Sequence, residues 1–272
     1  MILKQNFRWR KCGMRYVIVM VIRLDGLNLE FVKKNWVRIK DDFMAFMKAF
    51  HSNGSVLKGL NCTFIALIPK IKNPVSIKNY RPISLVGSIY KVLSKVLANR
   101  LKVVMDPVIG PTQMAFVKER QIVDSFVIAE EVIYSWKKNG KGGLLIKLDF
   151  EKAYDSIDHS FLIEVLDKMG FGKKWQEWIY WCISSPLVSV LCNGSPIKQF
   201  SMENGLRQRD PLSPFLINMV VEILDSMLCR ARQLNLISGA VFGDGRIEIS
   251  HLQFADDTIL FFGAQVGLSL EC

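Results

Sequence analysis

The sequence contains few of the residues that hold structural metal ions. Six cysteines and three histidines occur among the 272 residues, and no two cysteines form a C-x-x-C pair. Structural zinc sites need closely spaced thiolate and imidazole ligands, so a zinc site is not expected. No secretory signal is recognised either, and we therefore expect reduced thiols in an intracellular protein.

Long apolar runs are also absent. The longest run near the start, Tyr16–Ile22, is far shorter than the ~20 residues that cross a bilayer, and no membrane span is expected. Half of the residues are hydrophobic and 22% are charged. These proportions are typical of a globular chain with room for one large domain or two subdomains.

Acidic residues are missing from a long stretch of the first half. None occurs between Phe43 and Met105. Residues 1–105 hold 20 basic and 4 acidic residues, a formal charge of +16, whereas residues 106–272 carry −5. This asymmetry favours a polyanionic partner held near a metal-binding centre. A solvated basic face without a partner explains the same charges equally well.

Hydrophobic periodicity predicts an α+β fold. Three- and four-residue spacing of apolar side chains predicts helices over about 28–53, 88–105, 122–138, 159–169 and 173–184, and a long helix after Pro211. Shorter apolar runs predict strands at 63–68, at 143–150, where the strand should be buried, and on both sides of Asn193-Gly194 and of Asp256-Asp257. A further tight turn is predicted at Asp244-Gly245.

Two adjacent carboxylates, Asp256 and Asp257, stand at a predicted turn between two strands. Neighbouring carboxylates repel each other, and such a turn is costly without a cation. Carboxylate oxygens are also the hard ligands that Mg²⁺ prefers. The turn is therefore a candidate metal site, and an acidic hairpin turn without a metal is the alternative.

A third carboxylate, Asp149, ends an apolar strand. A carboxylate on a buried strand is expensive unless it emerges at the strand end or binds a cation. If this strand pairs beside the hairpin, three carboxylates converge at one edge of a sheet. Such a cluster could hold two Mg²⁺ ions, which clamp the attacking and leaving oxygens of an in-line phosphoryl displacement.

Five stretches, in order along the chain, resemble the sequence blocks of reverse transcriptases. They are Ile68–Ser84, Leu97–Val117, Lys147–Asp155, Asn204–Pro214 and Phe254–Asp257. The Phe-Ala-Asp-Asp form of the last block is typical of non-LTR (LINE-type) retrotransposons. Over about residues 25–262 the chain therefore resembles a plant-like non-LTR reverse transcriptase.

This resemblance implies a fold, an activity and a set of partners. The implied fold is an α+β right-hand polymerase with fingers over about 27–140 and a palm over 141–272, after a degenerate segment 1–26. The antiparallel palm sheet is expected to be backed by helices, and the thumb to be missing. The implied activity is RNA-directed DNA polymerisation, as a fragment of a retrotransposon polyprotein. An RNA template, a DNA primer and deoxynucleoside triphosphates are the implied partners, and a nuclear location follows from the family.

The resemblance also implies roles for single residues. Asp149, Asp256 and Asp257 would be catalytic and would ligate two Mg²⁺ ions, with Mn²⁺ as an alternative and with help from the Phe150 carbonyl. Substrate contacts would come from Lys70 and Arg81 on the triphosphate, Tyr154 beneath the incoming sugar, and Gln208 near the nascent base pair. For each residue an ordinary structural role is the alternative: a turn acid, a surface charge or a core tyrosine.

Three departures from the family pattern favour a second interpretation. Arg209 stands where the second catalytic block usually has glycine, only Asp25-Gly26 remains of a Pro-Gly-Pro-Asp-Gly turn, and the sequence stops at Cys272, soon after the third block. The alternative is thus a degenerate, catalytically inactive remnant that still binds nucleic acid. A structural pseudo-polymerase would predict loss of the aspartates, which are present. A group II intron-type enzyme is a further relative, but the last block and the fingers blocks are closer to LINE elements.

Overall fold

The computed structural model describes residues 34–55, 59–140, 142–242 and 247–263. The predicted segment 1–26 and the predicted Asp244-Gly245 turn lie outside these residues, as does the start of the predicted first helix. The chain forms two compact units that alternate along the sequence. The first unit comprises residues 1–100 and 154–213, and the second comprises residues 101–153 and 214–272. The fingers and palm ranges stay a prediction, because these units do not divide the chain at residue 140.

The α-helices and β-strands of the described residues follow the predicted order closely. The helices are α1 (Trp36–Asn53), α2 (Ser88–Val108), α3 (Ile122–Lys138), α4 (His159–Lys168), α5 (Lys173–Ser184) and α6 (Ser213–Gln233). The strands are β1 (Cys62–Pro69), β2 (Tyr80–Val86), β3 (Gly143–Leu148), β4 (Leu187–Cys192), β5 (Ser195–Pro196), β6 (Phe200–Ser201), β7 (Ala240–Phe242), β8 (Ile247–Ile249), β9 (His251–Phe254) and β10 (Asp257–Gly263). No described helix is both long enough and apolar enough to cross a membrane.

The first unit is built on a sheet whose central strand is β1. Strand β1 pairs antiparallel with β2, and parallel with β4, which in turn carries β5 and β6. Helix α1 ends at Asn53 and is capped by Gly54, whose φ of 69° is the left-handed conformation common after helix C-termini. The predicted aromatic face of α5 packs on α1, since the Phe50 ring lies 5.9 Å from Trp178 and 5.4 Å from Trp181 between centroids.

The second unit contains the antiparallel sheet β3–β10–β9. A buried cluster of Val132 on α3 with Ala240, Leu252 and Phe261 joins the helix to the strands, and each of these side chains is at most 2% exposed. The prediction of an antiparallel sheet backed by a helix is therefore confirmed. Burying these four apolar side chains contributes roughly 1.5–3 kcal/mol for each large one.

Two local predictions are wrong. The strand ending near Asp149 is predicted to be buried, but β3 lies at the edge of its sheet, and Leu144 and Leu145 are 57% and 39% exposed. An apolar run cannot by itself distinguish an edge strand from a central one. Helix α2 is predicted to end before Pro107, yet it continues to Val108. Proline has no backbone donor for the carbonyl of Val103, and Val103 lies on an exposed side of the helix, since the residue is 80% exposed.

Candidate active site

The candidate active site lies in the second unit, at the hairpin of β9 and β10. Phe254 pairs with Asp257 across the two strands, which leaves a loop of only two residues, Ala255 and Asp256. Ala255 takes a φ of 55°. Asp256 thus stands in the loop itself, whereas Asp257 is the first residue of β10. The predicted acidic turn is present, shifted by one residue toward the N-terminus.

Strand β3 brings the third carboxylate to the same end of the sheet. It pairs antiparallel with β10, and Leu148 lies opposite Thr258. Asp149 therefore leaves β3 beside the point where Asp257 opens β10. The pairing that the sequence analysis set as the condition for a carboxylate cluster is thus present, and it joins two segments that lie more than 100 residues apart in sequence.

The negative charges of Asp257 and Asp149 act on the Asp256 carboxylate. Burial is the first cause that raises the pKa of Asp256 above its ordinary value, and the negative charges of Asp257 and Asp149 raise it further. Lys147 supplies a counter-charge, since its Nζ lies 3.2 Å from Asp257 Oδ1. Both of these side chains are more than half exposed, so their ion pair adds little stability. The cluster therefore favours a cation.

The donors suit Mg²⁺ in chemical type and charge. They are carboxylate oxygens, and an ammonium group already lies against one of them. Among the residues that the structure describes, however, no three His, Cys, Asp or Glu side chains stand close enough to hold a metal ion. The Phe150 carbonyl accepts a hydrogen bond from Ala153 N at 3.3 Å, and the second lone pair of this oxygen stays available. The residues present thus fit a metal by charge and donor type, but their side chains are not gathered closely enough in this structure to hold one.

The four predicted substrate contacts all belong to the first unit. Lys70 and Arg81 are exposed and lie together where β1 and β2 meet, since Ile68 pairs with Arg81 and Lys70 N donates to Asn79 O at 2.7 Å. The structure therefore brings these two cations to one end of a hairpin.

Tyr154 and Gln208 are brought together by a second set of contacts. Leu206 N donates to Tyr154 O at 2.6 Å, and Gln208 Nε2 lies 3.5 Å from Asp155 Oδ1. Gly205 takes a φ of 88°, and a Cβ at this position would lie 2.8 Å from Asp155 O. Only glycine fits there, because any side chain would meet backbone.

Sequence reasoning assigned no role to a buried ion pair in the same loop. Arg207 and Asp210 have side chains that are each 3% exposed, and Arg207 Nη2 lies 3.1 Å from Asp210 Oδ2. The guanidinium also donates to Asn61 Oδ1 at 2.5 Å and Cys182 O at 2.8 Å, and it lies 4.0 Å from the Tyr90 ring centroid. The only sequence signal was an arginine and an aspartate three residues apart just before a proline.

The carboxylate of Asp210, like the guanidinium of Arg207, has several hydrogen-bond partners. Tyr90 donates to Asp210 Oδ2 at 2.7 Å, the Ser94 hydroxyl donates to Oδ1, and Leu212 N donates to Oδ1 at 3.0 Å. All of these partners belong to the first unit. The loop 205–210 (the Gln208 loop below) is thus held by buried charges on both sides of Gln208 and Arg209.

Arg209 lies between these two charges and is exposed. Its φ is 70°, in the left-handed region that glycine adopts without penalty. The family's glycine therefore has a conformational reason at this position. Arg209 adopts the same backbone conformation, but its Cβ makes that conformation energetically costly.

Comparisons with known proteins agree with this geometry. The family model described as "Reverse transcriptase (RNA-dependent DNA polymerase)" matches residues 68–268. The chain belongs to the reverse transcriptase family. The fold is therefore that of a right-hand polymerase, and the resemblance to non-LTR retrotransposon reverse transcriptases is confirmed by the relatives that follow.

One relative is the transposon TX1 uncharacterized 149 kDa protein of Xenopus laevis, 30% identical over 87% of this chain and 18% of that protein. Another is the retrovirus-related Pol polyprotein from type-1 retrotransposable element R2 of Popillia japonica, 29% identical over 71% of this chain and 26% of that protein. The chain thus spans about a fifth to a quarter of these relatives. A solved structure of telomerase from Candida albicans shares the fold, with a TM-score of 0.50 and 12% identity over 82% of this chain and 42% of that one.

Proposed function

We propose that the chain carries out RNA-directed DNA polymerisation as the reverse transcriptase part of a non-LTR retrotransposon protein. The observation that carries this proposal is the arrangement of Asp149, Asp256 and Asp257 at one end of the β3–β10–β9 sheet. The family assignment supports it, because reverse transcriptases generally use divalent metals. An RNA template, a DNA primer and deoxynucleoside triphosphates are the proposed partners, and the nucleus is the proposed location.

In this proposal the chain holds the reacting groups and neutralises their charge. Asp149 and Asp256 would hold two Mg²⁺ ions, with Mn²⁺ as an alternative, and Asp257 and the Phe150 carbonyl would assist them. When bound, the two ions supply charge stabilisation to the attacking 3′-oxygen and to the leaving pyrophosphate. The crowding of Asp256 by two other carboxylates supports this assignment, since a cation relieves the repulsion.

The first unit would recognise the nucleotide. Lys70 and Arg81 are exposed cations at one end of a hairpin, and cationic donors suit triphosphate oxygens. Tyr154 would lie beneath the incoming sugar, where its ring opposes a 2′-hydroxyl. Gln208 would pack near the nascent base pair, and the rigid Gln208 loop supports that role.

A second candidate function is a catalytically inactive remnant that binds nucleic acid through its basic first half. Arg209 favours this candidate, because a long cationic side chain stands on a left-handed backbone beside Gln208. The formal charge of +16 on residues 1–105 would supply the binding.

Primer extension on an RNA template with Mg²⁺ and deoxynucleotides distinguishes the two candidates. We expect the native chain to extend the primer and Asp256→Ala to lower the rate by about 100-fold or more, as for other groups that stabilise transition-state charge. Asp41→Asn, an exposed acid on α1, is the matched control and should leave the rate unchanged.

Arg209→Gly is the third variant in this experiment. If only Arg209→Gly extends the primer, the remnant is the correct description of the native chain, and its defect lies at this position. Equal extension rates for the native chain and Arg209→Gly would refute an inhibitory role of Arg209. Extension that survives Asp256→Ala would refute the proposed metal site.

A further inference from the structure

The backbone of Ala255, immediately before Asp256, is held by one distant side chain. Ala255 N donates to Gln113 Oε1 at 2.8 Å, and Gln113 Nε2 donates to Ala255 O at 3.1 Å. One amide group thus satisfies both the donor and the acceptor of a single residue. The two residues are 142 positions apart in sequence, and both belong to the second unit.

This residue needs support because of its conformation. Ala255 takes a φ of 55° as the first residue of a two-residue hairpin loop, a position at which a positive φ usually selects glycine. Alanine has a Cβ and pays a penalty there that glycine does not. Ala255 is also only 6% exposed, so water cannot easily replace hydrogen-bond partners that its backbone loses.

Gln113 is itself rigidly placed. Its side chain is 1% exposed, and its Oε1 accepts a further hydrogen bond from Ala115 N at 3.0 Å. The flanking backbone is bonded to β9, since Met114 N donates to Gln253 O and Gln253 N donates to Thr112 O, each at 2.9 Å. The amide therefore reaches the hairpin loop from a segment that is already attached to one of its strands.

We propose that Gln113 is a positioning residue for Asp256. Its amide keeps Ala255 in the left-handed conformation and thereby sets the direction in which the Asp256 carboxylate leaves the hairpin. Gln113 touches neither substrate nor metal in this account and acts through Ala255 alone. The catalytic part of the inference rests on the proposed function, but the structural part does not.

The hairpin offers a matched control in Gln253. This glutamine is 2% exposed and lies on β9, two residues before Ala255. Among the described residues its side-chain Nε2 and Oε1 have no hydrogen-bond partner, in contrast to Gln113. Gln253→Leu and Gln113→Leu therefore each remove one buried side-chain amide, and only Gln113→Leu removes hydrogen bonds to Ala255.

Hydrogen exchange of the full chain tests the structural part without any activity. In the native chain the Ala255 amide should exchange as slowly as amides within β10. Gln113→Leu should accelerate exchange of Ala255 by about tenfold or more, the effect of leaving a buried donor unpaired. Gln253→Leu should leave it unchanged. Fast exchange of Ala255 in the native chain would overturn the proposal whether or not Gln113→Leu folds. Equal effects of the two folded variants would also overturn it.

Metal dependence and rescue test the catalytic part. Gln113→Leu should raise the Mg²⁺ concentration needed for half-maximal primer extension and leave the KM for deoxynucleotides unchanged. Adding Ala255→Gly to Gln113→Leu should restore most of the loss, because glycine adopts the positive φ without support. A purely structural role would not be rescued by this second change. If the native chain shows no metal-dependent extension, the proposed function fails, and the exchange experiment still decides whether Gln113 holds Ala255.

Discussion

Two loops of this protein place a residue with left-handed backbone beside a predicted site residue, and the two loops are held in different ways. The hairpin loop of the second unit has Ala255 with a φ of 55° before Asp256, and a neutral amide holds it. The Gln208 loop of the first unit has Arg209 with a φ of 70°, and a buried ion pair holds it on both sides.

The difference lies in what each support costs when it is broken. Removing a neutral amide leaves its polar partners unpaired, which costs about 1–3 kcal/mol for each buried group. Removing one partner of a buried ion pair leaves the other charge uncompensated, which costs about 3–5 kcal/mol. We therefore expect the Gln208 loop to be the more sensitive of the two to the loss of its support.

The largest expected effect comes from breaking the ion pair. Arg207→Met should lower the free energy of unfolding by about 3–5 kcal/mol, because Asp210 would remain buried without its cation. Urea unfolding followed by tryptophan fluorescence measures the change, since Trp175 and Trp178 are buried in the same unit. Replacing both partners, as in Arg207→Met with Asp210→Leu, should cost less than the single change. A larger loss in the double variant would contradict the role given to the charge.

The next largest effect separates two costs at Gly205 in the Gln208 loop: the strain of a positive φ, and the contact of an added Cβ with neighbouring backbone. Gly205→Ala should cost about 3 kcal/mol, from a positive φ together with a Cβ placed against the Asp155 backbone. Gly194→Ala is the matched control, since Gly194 has a φ of 82° but no atom within 4 Å of the position that an added Cβ would take. It should cost about 1 kcal/mol for φ alone. Equal losses in chemical denaturation would show that the contact with Asp155 does not matter.

A pH dependence is expected in the segment that leads to Gln113. Gly110 N donates to Glu222 Oε1 at 2.9 Å, and burial, then the charge of Asp225, raises the pKa of Glu222 to about 7. The folded chain thus keeps a proton that the unfolded chain has released above about pH 4.5, so stability falls as the pH rises from about 4.5 to 7.

The expected size of this change is roughly 1–2 kcal/mol, because Glu222 is partly exposed and solvent screens its charge. Thermal unfolding of the native chain and of Glu222→Gln, recorded from about pH 4.5 to 8, measures it. The variant should show a smaller fall than the native chain across this interval. An unchanged slope in Glu222→Gln would assign the dependence to another group.

The smallest expected effect concerns the two strained residues themselves. Arg209→Gly should stabilise the chain by about 0.5–1 kcal/mol, the relief of a left-handed conformation less the added entropy of glycine in the unfolded chain. Ala255→Gly should give a similar gain. Asn193→Gly, at a φ of 49°, should have almost no effect, because asparagine tolerates this conformation. A loss of stability in Arg209→Gly would mean that the arginine side chain makes contacts that outweigh the strain.

The sequence was sufficient to predict the local parts of the site. The apolar runs around Asp256-Asp257 predicted the hairpin, and the carboxylate at the end of a third run raised the pairing of β3 with the hairpin as a condition for a metal site. The glycine expected at residue 209 also has its reason in the observed positive φ. The hairpin needed only a few neighbouring residues and the alternation of side chains along a strand, whereas the glycine at residue 209 was expected from the family resemblance.

The supports of the two loops were not predictable in the same way. Gln113 meets Ala255 across 142 positions, and Arg207 meets Asn61 across 146. Nothing in the local pattern identifies the partners of these residues, because a glutamine or an arginine has many possible hydrogen-bond acceptors and donors in a folded chain. The edge position of β3 was missed for the same reason, since exposure depends on which strands pair rather than on the strand's own composition.

Binding of Mn²⁺ to the chain, followed by electron paramagnetic resonance, tests the central claim most directly. The claim is that Asp149, Asp256 and Asp257 form a cation site at the end of one sheet. We expect saturable binding to the native chain, a loss of at least about tenfold in affinity in Asp256→Asn, and no change in Asp41→Asn. Equal binding by the native chain and Asp256→Asn would contradict the claim.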